Sequence, residues 1–286
     1  MKNLLSIVLL LFSSYSFSET VTLHMLNGTY STGVSKSKSV AIILHGTRGH
    51  QNLEIVASLR DSLLENGIDS LTINLSYGIK NRVNDFLTCD MEHKHRLEDS
   101  LKEIELWYDY LENIGYQKIH LIGHSRGSLD ILNFYELLSD EKNANIGNIF
   151  LLAPISVIWK DIKKKYKNKF GIVMDMLISQ PNYKLKIDFL GCENAVVHSK
   201  SFLSYYRYGS SDISNNALKY FLLKNTGRVY VVTASEDDIA RGTHEMVNSI
   251  SKKKNNIELH MIDGADHFFR DFYFEDLTEF ILDKIE

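Results

Sequence analysis

Short apolar runs alternate with amphipathic stretches along most of the chain. Residues 40–45 (VAIILH) form a continuous apolar run, the pattern of a strand covered on both faces, and residues 52–65 keep helical spacing up to the stop at Gly67. The unit then recurs. Residues 70–75 read as a strand, 92–113 as a long amphipathic helix ending before Gly115, 118–123 as a strand and 128–138 as a helix. Residues 148–153 make another strand, closed by Pro154, and 228–233 and 257–262 supply two more before a final helix at 272–285. Residues 21–26 (VTLHML) alternate and predict an antiparallel edge strand. Strands separated by helices imply an α/β fold with a mostly parallel sheet and right-handed crossovers.

The interval 155–224 breaks this rhythm. It holds a basic run at 160–169 (KDIKKKYKNK), an aromatic stretch at 202–208 (FLSYYRY) and a Gly-Ser-Ser-Asp turn at 209–212, with no βαβ repeat inside. It reads as a partly helical insertion over the sheet, which divides the rest of the chain into a core of residues 19–154 and 225–286. With 44% hydrophobic residues in 286, the chain can bury a sizeable core. Its 32 Lys and Arg against 36 Asp and Glu provide no basic field to hold a nucleic-acid backbone, so nucleic acid is excluded as an expected partner.

The N-terminus has its own pattern. Lys2 precedes an apolar run at 4–12, followed by a Ser-rich stretch ending Ser16-Phe17-Ser18. A basic start, an apolar run shorter than the ~20 residues a span requires, and small residues at −3 and −1 describe a secretory signal peptide, residues 1–18, with cleavage after Ser18. The expected location is therefore secreted or periplasmic, with no stable membrane anchor after cleavage. Export brings the two cysteines, Cys89 and Cys192, into a compartment where they can pair, although spacing alone does not show that the sulfurs meet.

Three motifs carry chemistry. Gly123-His124-Ser125-Arg126-Gly127 matches G-x-S-x-G at a strand-to-helix junction, where the turn lifts the serine hydroxyl above the sheet and Gly123 and Gly127 let strand and helix approach closely. Ser125 is the candidate nucleophile. A serine hydroxyl needs a histidine to take its proton and a carboxylate to orient that histidine. Of the 11 histidines, His267, in the loop GADHFF after the last strand, fits best. For the acid, the strand at 228–233 runs into three in a row, Glu236, Asp237 and Asp238; Asp237 is preferred, and the other two stay open because pattern cannot separate neighbours in a loop. Third, His45-Gly46-Thr47-Arg48-Gly49 follows the first parallel strand, and the backbone amides of Thr47 and Arg126 are candidate donors to an oxyanion.

These motifs, in the chain order Ser, Asp, His, resemble the α/β-hydrolase family over nearly the whole chain after residue 18. The resemblance implies an eight-stranded, mostly parallel sheet flanked by helices, a cap or lid at 155–224, and a Ser125-Asp237-His267 triad. It also implies cleavage of a carboxylic ester or thioester on a small-molecule substrate without a cofactor. A peptidase or amidase on the same triad, or a silent binding protein of the same fold, are the alternatives. Two departures stand out: Ala234-Ser235 opens the acid loop where the family more often has Gly, and Arg126 is bulky and charged, so that its side chain meets either an acidic partner or an anionic substrate group.

Other features read as structural. Cys89, His93 and His95 lack a second ligand cluster, and a helix from residue 92 would put the two histidines on different faces, so no metal is expected. His120 and His124 read as hydrogen-bonded core residues. His198, Tyr205, Tyr206 and Tyr208 read as packing within the insertion or as the wall of an acyl pocket, and the basic run as a solvated helix face.

Overall fold

The structure, a computed structural model, describes residues 17–33, 37–179 and 183–285. In chain order these form β1 (Phe17–Leu23), β2 (Leu26–Thr32), β3 (Ser39–Leu44), α1 (Glu54–Glu65), β4 (Asp69–Ile73), α2 (Leu97–Asn113), β5 (Lys118–His124), α3 (Arg126–Leu137), α4 (Asp140–Asn143) and β6 (Ile146–Leu152). There follow α5 (Trp159–Phe170), α6 (Met174–Ser179), β7 (Lys184–Phe189), β8 (Cys192–His198), α7 (Ser199–Tyr206), α8 (Ser211–Asn215) and α9 (Ala217–Lys224). The chain ends in β9 (Val229–Ala234), α10 (Thr243–Ser251), β10 (Ile257–Ile262) and α11 (Phe272–Lys284).

Eight strands make one sheet in the order β1-β2-β4-β3-β5-β6-β9-β10. From β4 to β10 all neighbours are parallel, and β2 alone runs antiparallel to both of its neighbours. Period-two alternation sorts the buried side chains between two layers. Val40, Ile42 and Leu44 of β3 and Val229 and Val231 of β9 join the larger core, while Ala41, Ile43, Tyr230 and Val232 face the layer of α1 and α11. From Val40 on, β3 is thus apolar because both faces are covered, whereas β4 buries Asp69, Ser70 and Thr72.

Two expected elements differ. The single edge strand at 21–26 is the turn region of a hairpin: β1 pairs with β2 from Phe17↔Thr32 to Leu23↔Leu26, across His24 and Met25, both at positive φ. That turn matches strand twist but uses residues that give no turn signal. Gly28, which reads as a breaker, lies inside β2 because a Cβ there would stand 3.1 Å from the Trp107 ring and 3.1 Å from the Thr72 carbonyl oxygen. The long helix begins at Leu97 and not at residue 92. The segment before it is held extended, with the His93 amide donating to Val196 O (2.8 Å), the His198 amide to His93 O (2.9 Å), and the Arg96 amide to the Asp99 carboxylate as a capping box. His93 and His95 therefore do not stand on different faces of a helix: they lie off it, with His93 Nδ1 3.2 Å from His95 Nε2, both buried.

Within residues 155–224, β7 and β8 form a separate antiparallel hairpin. Around it pack the buried rings of Tyr166, Phe189, Phe202 and Tyr205. The segment ends in α9, which packs on α3 and α10 beside the sheet. Cys89 and Cys192 are disulfide-bonded, joining the β4–α2 loop to the start of β8. The signal-peptide reading falls mostly on residues outside those described; cleavage after Ser18 would remove the first two residues of β1. No helix among the described residues is long and apolar enough to cross a membrane.

Candidate active site

The C-terminal ends of β3, β5, β9 and β10 converge where the crossovers leave the sheet. At the end of β5 the backbone of Ser125 takes φ 56°, ψ −118°, a conformation costing about 1–3 kcal/mol that its surroundings must hold. The two motif glycines explain how. A Cβ on Gly123 would lie 2.6 Å from the Gly127 carbonyl carbon and oxygen, and one on Gly127 would lie 2.5 Å from the His45 carbonyl oxygen. The Ser125 amide donates to Leu152 O (2.8 Å) and the Ser128 hydroxyl to Gly123 O (2.5 Å), tying the turn to β6 and to the end of its own strand.

Ser125 Oγ lies 2.9 Å from His267 Nε2, and His267 Nδ1 lies 2.7 Å from Asp237 Oδ2. With Nδ1 protonated against the carboxylate, Nε2 presents its lone pair to the serine hydroxyl. Ser125 and His267 are each 5% exposed, and the Asp237 side chain 6%. Burial alone would raise the Asp237 carboxyl, but hydrogen bonds from His267 and from the Ala240 and Ile239 amides outweigh it and hold the group below the ordinary carboxylate range. The other two acids of the run point elsewhere: Glu236 is exposed, and exposed Asp238 pairs with Arg241.

The loop after β3 reaches the same place. A Cβ on Gly46 would be 3.0 Å from that of Ser125, so this loop runs directly over that serine. His45 fixes it, with Nδ1 donating to Gly46 O (2.8 Å) and Nε2 accepting the Leu75 amide (3.3 Å). Burial lowers its pKa to about 3, so it is a neutral strut. Thr47 follows, partly exposed, and the Arg126 amide opens α3 among the unpaired N–H groups of its first turn.

Three residues support the site from outside these motif roles, and of them the sequence reading anticipated only a hydrogen-bonded core place for His124. Arg82, buried in the β4–α2 loop, donates through Nη2 to Gly49 O (2.7 Å) and Arg48 O (3.2 Å) and through Nη1 to Leu75 O (3.0 Å), clamping the loop over Ser125. His124, expected in the core, also donates from Nε2 to the backbone oxygen of His267 (2.9 Å); burial and the neighbouring imidazole lower its pKa to about 4. The Ser235 hydroxyl accepts the Gly264 amide (2.7 Å), joining the acid loop to the histidine loop. The bonds from Arg82 to Gly49, from His124 to His267 and from Gly264 to Ser235 each span at least 29 residues of chain, so no local pattern announces them.

Among the described residues no group of three or more His, Cys, Asp or Glu is placed to hold a metal ion. His95 Nδ1 instead meets the Tyr205 hydroxyl at 3.1 Å, and His198 bonds Glu92 at 2.7 Å. On α5 of the basic run, Lys163 pairs with Asp175 and Lys169 with Asp188 at the surface.

No family model and no curated protein sequence matches the chain. Solved structures do. Est1E from Butyrivibrio proteoclasticus superposes with a TM-score of 0.62 at 18% identity, over 94% of this chain and 98% of that one. The α/β hydrolase GrgF from Penicillium sp. sh18 gives 0.63 at 13%, over 95% and 98%. An α/β serine hydrolase homologue from Coxiella burnetii gives 0.53 at 13%, over 94% and 97%. The chain has the α/β-hydrolase fold. In that fold ligands meet the sheet at the C-terminal ends of its strands, where Ser125, Asp237 and His267 stand together.

Proposed function

We propose that the protein is an exported serine hydrolase that cleaves carboxylic esters of small molecules through an acyl-enzyme. The relay from Ser125 Oγ through His267 to Asp237, at 2.9 and 2.7 Å, carries this reading. Ser125 Oγ attacks the ester carbonyl carbon while its proton passes to His267 Nε2, and the carbonyl oxygen becomes an anion received by the Thr47 and Arg126 amides. The tetrahedral adduct collapses as His267 returns that proton to the leaving alcohol, leaving an acyl group on Ser125. Water then attacks with His267 as base, and the acid departs. Asp237, kept ionised by its hydrogen bonds, stabilises the imidazolium formed in each half-reaction.

Est1E, of the same fold, has been observed with ferulic acid bound, which favours a small carboxylic substrate or product over a polymer. The Cys89–Cys192 disulfide favours an oxidising compartment and so export. Labelling of the purified protein with a fluorophosphonate, located by peptide mapping, tests the nucleophile; matched p-nitrophenyl esters and anilides test ester against amide cleavage. Modification at Ser125, ester turnover, and loss of both in Ser125→Ala are expected. A folded protein that neither labels nor turns over any ester or anilide would overturn the assignment.

A further inference from the structure

Beside the nucleophile lies a charge that the triad does not use. Arg126, the residue after Ser125, is 4% exposed, yet its Nε and Nη1 have no hydrogen-bond partner. Its guanidinium lies over the rings of Tyr205 (5.6 Å) and Tyr206 (5.7 Å) of α7. One turn along α3, Asp130 is 2% exposed with Oδ1 unpartnered, and the buried Tyr208 hydroxyl lies against the guanidinium. Among the described residues no ion pair reaches Arg126.

This arrangement is costly as it stands. A buried guanidinium ordinarily has its donors taken by carboxylates or carbonyls, and a cation over aromatic rings leaves the N–H groups themselves unanswered. Asp130 answers them only weakly: burial raises its carboxyl to about 7 against the pull of Arg126, so below neutral pH it is largely uncharged. The cluster is therefore a cation with open donors, carried on the residue that follows Ser125. A planar two-donor fork fits a carboxylate.

We infer that Arg126, with Tyr205, Tyr206 and Tyr208 around it, is the specificity subsite of this enzyme and takes a carboxylate carried by the substrate a few atoms from the scissile ester. The preferred substrates are then hemiesters of dicarboxylic acids. This rests on the proposed hydrolase activity, but the subsite can also be read by binding alone.

The test compares mono-p-nitrophenyl glutarate with neutral p-nitrophenyl valerate of similar length. The wild-type protein should favour the glutarate by at least tenfold in kcat/KM, and Arg126→Gln should lower that ratio at least tenfold, with Arg126→Lys between them. In parallel, glutarate titrated by calorimetry into Ser125→Ala protein should bind, and binding should weaken at least tenfold in Ser125→Ala/Arg126→Gln. A wild-type preference for the neutral ester, or glutarate binding unchanged by the Arg126 substitution, overturns the inference. Should no ester turn over while glutarate still binds through Arg126, the hydrolase reading fails and the carboxylate subsite stands.

Discussion

Adding one methyl group at Gly123 should damage the protein in proportion to what that methyl meets. The built Cβ falls 2.6 Å from the Gly127 carbonyl carbon and oxygen and from the Ser128 amide nitrogen. All three are backbone atoms, so no rotamer change relieves the clash, and β5 must part from α3 by roughly 1 Å to restore van der Waals contact. Overpacking that side chains can absorb costs about 1–3 kcal/mol, so Gly123→Ala should reach about 3 kcal/mol or more, a Tm loss of roughly 5–10 °C in a domain of this size. Because the parting occurs between Ser125 and its supports, activity should fall further, by about 10²-fold for a misplacement of that order. Two comparison variants grade the effect. Gly49→Ala meets chiefly the flexible Leu53 Cδ1 at 2.5 Å and should cost about 1 kcal/mol, whereas Gly209→Ala meets nothing within 4 Å and should stay within about 0.5 kcal/mol. Differential scanning calorimetry with ester turnover on all three reads the series. Equal melting temperatures for Gly123→Ala and Gly209→Ala would refute the account of the elbow as a contact too close for any side chain.

Other expectations follow from the same geometry. Asp237→Asn should lower kcat/KM by about 10⁴-fold, while Glu236→Gln and Asp238→Asn, on exposed side chains, should change it less than about threefold; a larger loss at Asp238 would reassign the acid. Replacing both cysteines by serine opens a link across 103 residues and should cost about 2–4 kcal/mol, seen as a lower Tm that reductant no longer affects; an unchanged Tm would mean that the backbone bonds of His93 alone hold the β7–β8 hairpin. Asp130 has its carboxyl raised to about 7 by burial, so the folded chain holds a proton that the unfolded chain loses above its ordinary pKa near 3.8. Its stabilising contribution is full below that lower value and fades as pH rises towards 7. Asp130→Asn should therefore gain roughly 1–3 kcal/mol on the wild type between pH 4 and 8, by urea denaturation, and a constant difference across that range would contradict the assignment.

What the sequence determined by itself was everything governed by local spacing. The apolar runs of β3, β5 and β9 are legible because a strand buried on both faces carries mostly apolar residues, and the sheet places each of them as a central parallel strand. The G-x-S-x-G turn is legible because its two glycines answer a steric demand within five residues. Tertiary structure decided whatever depends on atoms distant in the chain. Asp237 differs from Glu236 and Asp238 only in facing His267, thirty residues on, and no pattern within the loop records that direction. The start of α2 was overridden because pairing with β8 and the disulfide hold residues 89–96 extended against their helical spacing. The β1–β2 turn carried no signal because His24 and Met25 take positive φ without the glycine or asparagine that usually marks it. Arg82 and His124 became supports of the site only when folding brought their nitrogens to the carbonyl oxygens of Gly49 and His267. Local chemistry thus chose the elements and the turn that carries Ser125, and long-range packing chose the partners of that serine, because a hydrogen bond is specified by where two atoms end up and not by how far apart they stand in the chain.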